Sequence, residues 1–318
     1  MGIKNIFAYV KKRHIAAAVV LGALLIVPDL GSQYLVLLLQ LIFLYLAFAE
    51  MWNLLAGYTG LISLGQQIFI GLGGYALAVL TEYYNLPIWV GILVGGVISG
   101  LVAWLLAVLL FRMRGVYFTI ATWITAEAMI TVFSNWAYVH QGIGFFIKAS
   151  YNLTTNEIYY AALVVGVGSV VLVNLLLRSR LGLGLMAMRD NEAAAETLGV
   201  KIFRSKLISF IISAVLTGII GGLFYLSQVF IQPTDAFGIN WTIAVVFIVV
   251  IGGMGTIEGP IIGAIIYVLL QQFLAQYVGV GMIILGVIAI AVILVAPRGI
   301  VGTAYQRVNF RLFASHRD

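Results

Sequence analysis

Residues 52 to 75, "WNLLAGYTGLISLGQQIFIGLGGY", decide the fold, because they hold two contradictory signals in one run. The stretch is rich enough in Leu, Ile, Phe and Tyr to sit in lipid. It is also cut by Gly57, Gly60 and Gly65 and by paired glutamines at 66 and 67. A bilayer admits broken helices only where their freed N–H and C=O groups face protein or a watery cavity. The break therefore predicts a membrane protein with something to surround it.

Working outward, the rest of the chain agrees. Of its 318 residues 63% are hydrophobic and 9% charged, with a mean hydropathy of +1.12, against roughly 45–50% apolar and 25% charged in soluble domains. Ten apolar segments approach the roughly 20 residues that a helix needs to cross about 30 Å of hydrocarbon. They run 14–28, 34–56, 61–81, 87–111, 116–138, 158–177, 206–230, 240–256, 259–277 and 281–297. The first, "IAAAVVLGALLIV", has the length and basic flank of a secretory signal, but no A-x-A site follows it and it is expected to be retained. The expected fold is an all-α polytopic membrane protein of about ten helices, some broken or re-entrant. Residues 1–318 are expected to form one transmembrane domain, with 178–206 as a cytoplasmic loop within it.

Charge placement fixes an orientation. With the N-terminus inside, Lys4, Lys11, Lys12, Arg13, Arg112, Arg114, Arg178, Arg180, Arg189, Lys201, Arg204, Lys206, Arg298, Arg307, Arg311 and Arg317 all fall in cytoplasmic segments, and Lys148 alone falls outside. That is the positive-inside pattern, and it places both termini in the cytoplasm. It also accounts for the net charge of +6 without a nucleic-acid partner. The chain has no cysteine, and His14, His140 and His316 are scattered, which removes disulfide and thiolate-metal chemistry and leaves no local metal spacing. No G-x-x-x-x-G-K-[ST] phosphate loop is present, so ATP would have to be used by another chain.

Two sets of residues carry candidate function. In the long basic segment, Asp190 or Asn191 as N-cap, Glu192 in the first turn and Gly199 as a stop define a short exposed helix. Its small apolar face of Ala194, Ala195 and Leu198 asks for a docking partner. The second set comprises the broken runs. Asn53, Gly57, Gly60, Gly65 and Gln66 interrupt one span, and Gly252, Gly253, Gly255 and Gly259 interrupt another. Aligning "GYTGLISLG" with "GGMGTIEGP" pairs Gly57 with Gly252 and Gly60 with Gly255, a weak internal repeat of the kind that transporters build on. The breaks are expected to line a pathway, with close helix packing as the alternative. Gly91, Gly95, Gly96 and Gly100 already read as a small-residue packing seam. Glu127 lies at mid-span with Thr131 and Ser134 at helical spacing, either a cavity wall or a structural acid.

Four blocks, "NLLAGYTGLISLGQQIFIGLGGY" (53–75), "RGVYFTIAT" (114–122), "GLGLMAMRDNEAAAETLGV" (182–200) and "GGMGTIEGPIIGA" (252–264), together resemble the permease subunits of branched-chain amino acid ABC transporters, the LivM kind. The resemblance implies an ATP-driven importer of branched-chain or related hydrophobic amino acids in a prokaryotic plasma membrane. The permease itself would have no enzymatic activity and no cofactor. Its implied partners are two ATPase subunits that use ATP and Mg, a second, LivH-like permease and an extracytoplasmic binding protein. It also implies that Arg189, Asp190, Asn191, Glu192, Ala195 and Gly199 couple to the ATPase. A permease for urea, amides or aromatic acids, and a stand-alone transporter or channel using Glu127, remain alternatives. The sequence departs from the family at Gly65-Gln66-Gln67, where G-H-A is usual, and at "HQGIGFFIK" (140–148), where a glycine-rich motif is usual.

Overall fold

The computed structural model describes residues 19–148, 150, 153–277 and 280–308. Residues 14–18 of the first expected span, and Lys4, Lys11, Lys12, Arg13, Arg311 and Arg317 of the charge pattern, lie outside the described residues. Within them the chain is helical nearly throughout. In order come α1 (Val19–Leu30), α2 (Gln33–Asn53), α3 (Gln67–Glu82), α4 (Ile88–Leu110), α5 (Val116–Asn135), α6 (Thr155–Arg178), α7 (Arg180–Asp190), α8 (Glu192–Thr197) and α9 (Ile202–Gln228). There follow α10 (Pro233–Ala236), α11 (Asn240–Gly252), α12 (Glu258–Leu274), α13 (Gly281–Val295) and α14 (Gly299–Val308). Among the described residues seven helical stretches are long and apolar enough to cross a membrane, and α1, α3 and α12 are shorter apolar helices.

Helix α2 is the axis of the molecule. From Ile42 to Asn53 every residue is buried, and α6, α9, α11 and α12 pack around it. Its start is set by Ser32, whose Oγ accepts the Leu35 N–H at 3.4 Å. Helix α6 starts from a full capping box, in which Thr154 Oγ1 accepts the Glu157 N–H and the Glu157 carboxylate accepts the Thr154 N–H. Beside the axis, α3, α4 and α9 form a tight layer. A Cβ on Gly73 would overlap the Gly218 carbonyl, one on Gly221 the Ile70 carbonyl, and one on Gly95 would stand 3.0 Å from the Gly73 oxygen. Backbones meet here because no side chain separates them, the usual means of helix association in lipid.

Two expected spans are corrected. Residues 61–81 do not form one helix, because after α2 the chain passes through a π-helical turn, Leu54–Thr59, and then runs without helix until α3 begins at Gln67. Helix α3 has 16 residues, about 24 Å at 1.5 Å per residue, short of the hydrocarbon thickness by itself. The eighth span stops at Gly252 rather than 256, and α12 begins at Glu258. At the end of the molecule away from these breaks, a two-residue antiparallel pairing joins Phe145–Phe146 to Phe230–Ile231. There the Lys148 N–H donates to Glu82 Oε1 at 2.6 Å.

Candidate coupling and translocation site

The first break leaves a run of backbone polar groups without a helical ladder, and protein side chains satisfy them. Thr119 Oγ1 donates to the Ile62 carbonyl (2.8 Å), Trp52 Nε1 donates to the Ser63 carbonyl (2.8 Å), and the Leu64 N–H donates to Thr122 Oγ1 (3.0 Å). Ser63 Oγ accepts the Gly65 N–H at 3.2 Å. Helix α5 therefore supplies two threonines, at 119 and 122, that make the break tolerable in lipid. Gly65 allows it, since a Cβ there would overlap the Thr122 carbonyl.

The second break docks on the first. Asn53 bridges them in both directions, its Nδ2 donating to the Thr256 carbonyl at 2.9 Å and its Oδ1 accepting the Gly255 N–H at 2.8 Å. Thr256 Oγ1 donates to the Gly253 carbonyl (2.7 Å) and accepts the Gly259 N–H (3.0 Å). Gly60 and Gly255, paired by the sequence alignment of the two runs, share the left-handed backbone conformation with φ of +74° and +76°, which favours glycine. A Cβ on Gly252 would overlap the Gly259 carbonyl.

Into this junction reaches Arg189, from the last turn of α7. Its Nη1 donates to the Gly57 carbonyl at 2.7 Å, while its Nε lies 3.6 Å from Asp190 Oδ1. A Cβ on Gly255 would stand 2.8 Å from Arg189 Nη1, and one on Gly60 would stand 3.8 Å from its Cγ. The guanidinium thus lies against Gly255 and the Gly57 carbonyl, and Gly60 lies beside its stem. Asn191 is the N-cap of α8, accepting the Ala194 N–H at 3.0 Å. Glu192 lies in the first turn and pairs with Lys206 of α9 at 2.5 Å, and Gly199 ends the segment at φ +85°.

Several expected roles change in this light. Ala195 is 1% exposed, packed into its own chain, so it is not part of a face open to a partner. Of the expected apolar face, Ala194 and, just beyond the end of α8, Leu198 do point outward, the latter 80% exposed. The cause is the short helix's rotation, which Lys206 fixes through Glu192. The breaks are mostly buried among the described residues. Asn53, Gly57, Gly65, Gln66, Gly252, Gly253 and Gly259 are buried, Gly255 is half-buried and Gly60 is exposed. Gln66 Nε2 donates to Ser213 Oγ (2.7 Å) and Thr217 Oγ1 (2.9 Å) of α9, and Gln67 accepts from Thr242 of α11. The two glutamines that depart from the family pattern are interior struts. Glu50 and Glu258, which in the sequence sit near a span end and so within reach of interfacial water, are both buried.

Glu127 stands apart from the breaks. Thr122 and Ala126 face inward, whereas Glu127, Thr131 and Asn135 are exposed and Ser134 is half-buried. Glu127 Oε1 accepts the Trp123 indole N–H at 3.2 Å, Thr131 Oγ1 donates to the Glu127 carbonyl, and Asn135 Nδ2 donates to the Thr131 carbonyl. The polar stripe therefore lies on a face of α5 that this chain leaves uncovered.

The profile of the family described as "Branched-chain amino acid transport system / permease component" matches residues 34–296. The chain belongs to that family. This permease is 29% identical over 278 residues to the high-affinity branched-chain amino acid transport system permease protein LivM of Salmonella typhimurium, a match covering 78% of this chain and 65% of that protein. It is 28% identical over 303 residues to LivM of Escherichia coli, covering 86% and 71% respectively. It is also 31% identical over 150 residues to the probable branched-chain amino acid transport permease protein LivH of Methanocaldococcus jannaschii, covering 44% and 47%. The permease thus spans about two thirds of the length of its LivM relatives. No solved structure matches it. The missed contributors are Thr119, Thr122, Ser213, Thr217 and Thr242, small polar residues in apolar helices. Thr119 and Thr122 lie on α5, Ser213 and Thr217 on α9 and Thr242 on α11, where nothing in the local sequence marks them out.

Proposed function

We propose that this chain is one membrane-spanning half of an ATP-driven importer for branched-chain or related hydrophobic amino acids in a prokaryotic plasma membrane. The observation that carries this reading is the uncovered polar face of α5 in a chain of this family. An ionised carboxylate at mid-span costs about 2.5–3.5 kcal/mol on insertion scales, and outward faces elsewhere in the molecule include wholly apolar ones. The outward side of α13, for example, carries Ile283, Val287, Ile290 and Leu294. A second permease covering α5 removes that cost and makes the Glu127, Thr131 and Ser134 stripe the wall of a path between subunits. The glycine breaks at 57–65 and 252–259 form the movable floor of that path. Two ATPase subunits using ATP and Mg dock on the α7–α8 segment, within residues 178–206, and a binding protein delivers substrate from the opposite side. The permease itself carries out no chemistry.

A zwitterion crossing between subunits presents its ammonium to Glu127. In the reconstituted importer Glu127→Gln, which keeps shape and hydrogen bonding, is expected to slow transport of the zwitterion at least tenfold while leaving a neutral amide analogue near its original rate. Equal rates for both would remove Glu127 from the path. Absence of ATPase subunits and a second permease from the complex purified with this chain would remove the importer reading itself.

A further inference from the structure

Helix α2 and its π-turn end on carbonyls that no following turn can satisfy, the general condition of a helix C-terminus. In lipid each such group costs far more than in water. The Gly57 carbonyl is satisfied from 132 residues away, by Arg189 Nη1 at 2.7 Å. Its partner is a guanidinium, which gives a charge-assisted bond and places positive charge where the helix dipole is negative. An arginine that caps a helix is ordinarily on that helix or next to it. This one is on the segment that the proposed ATPases would grip.

We propose that Arg189 is a detachable cap, holding the two helix breaks together while bonded to Gly57 and freeing them when the α7–α8 segment moves; the proposal rests on that segment being the ATPase-docking element. Three features suit Arg189 to release. Its side chain is 45% exposed, so the guanidinium can withdraw into water. Asp190, 3.6 Å away, offers it a second partner once it leaves. The helix that carries it ends at Asn191, whose extended backbone (φ −158°, ψ 109°) separates α7 from α8. Withdrawal leaves the Gly57 carbonyl needing water and empties the space between Gly57, Gly60 and Gly255. Asn53, bonded to Gly255 and Thr256, then remains as a bridge between the breaks, and this end of α2 is freer to part from the α11–α12 turn.

The test uses Arg189→Met, which keeps the stem and removes the donors, and Arg189→Lys, which restores one charged donor. In the purified permease in lipid nanodiscs, amide exchange at residues 57–62 and 253–257 is expected to rise about tenfold in the Met variant, the scale of one lost bond to a charged donor. It should rise less in the Lys variant and stay unchanged in α4. Unaltered exchange would show that Arg189 caps nothing. This arm needs no ATPase, so it judges the cap even if the importer reading fails. In the reconstituted complex, Arg189→Met is expected to move at most a tenth of the substrate per ATP hydrolysed, with partial rescue by Lys. Wild-type transport per ATP would overturn the detachment. Loss of ATPase binding would make Arg189 a docking residue instead and overturn it equally.

Discussion

Glycine is used twice in this protein, for opposite purposes. Between α3, α4 and α9, Gly73, Gly95, Gly218 and Gly221 bring backbone against backbone, and each missing Cβ faces a neighbouring main chain or a short side chain. At the breaks, Gly255 faces the end of a single flexible side chain, that of Arg189, and Gly60 faces its stem, whereas Gly57 meets the Asn53 side chain and the Gly255 backbone. The first arrangement is permanent, since neither backbone can give way. The second is conditional, since Arg189 can leave and be replaced by water. The lesson is that a glycine-rich stretch in a membrane helix says nothing about motion until the atom facing each glycine is known.

The comparison is most easily broken in the seam. Gly73→Ala sets a methyl into the Gly218 carbonyl, so the helices must separate or the protein must misfold. Destabilisation of about 3 kcal/mol or more is expected, read as a large fall in thermal unfolding temperature in detergent. A stable, active Gly73→Ala permease would end the distinction between the two glycine sets. A smaller effect, of another kind, is expected at the break. Gly255→Ala places a methyl 2.8 Å from Arg189 Nη1 and puts a non-glycine residue at φ +76°, at a cost of about 1–2 kcal/mol. The protein should fold but lose its coupling as Arg189→Met does, which transport per ATP in vesicles would report. If instead it loses stability as severely as Gly73→Ala, the break is a seam like the other.

The smallest expected effect sharpens both. Gly168, on the exposed side of α6, has nothing within 4 Å of where its Cβ would be. Gly168→Ala should therefore gain about 0.5–1 kcal/mol from backbone restriction, seen as a small rise in unfolding temperature with transport unchanged. A loss of transport there would reveal a contact on that face made by another subunit.

Much of the molecule was legible before any coordinates. Each of the ten apolar segments contains a helix within the described residues, and the interruptions at 57–65 and 252–259 are breaks. The N-cap at Asn191, the glutamate after it and the stop at Gly199 are where capping rules place them. What the sequence misread has separate causes. Ala195 was assigned to the outer face of α8 and is buried. Residues 61–66 were assigned to a helix and run without one. Glu50 and Glu258 were placed within reach of water and are sealed. For the two acids, hydrophobic residues go all round a helix with lipid on one side and apolar neighbours on the other, so periodicity does not tell which face points in. Helix α8 is too short for periodicity to fix its rotation, and the left-handed Gly60 stops the helix before 61–66.

Lipid itself explains what the sequence alone determined. A bilayer offers no partner to backbone groups, so any long apolar run must be helical, and its length and flanking charge are local properties written in consecutive residues. Family membership is equally local, carried by blocks such as 182–200. The tertiary structure decided what meets what: Arg189 with the Gly57 carbonyl, Asn53 with Gly255 and Thr256, Gln66 with Ser213 and Thr217, and Glu127 with no other helix of its own chain among the described residues. These contacts depend on the rotation and depth of helices far apart in the chain. Those are set by the close packing of whole surfaces, and no short stretch of sequence contains them.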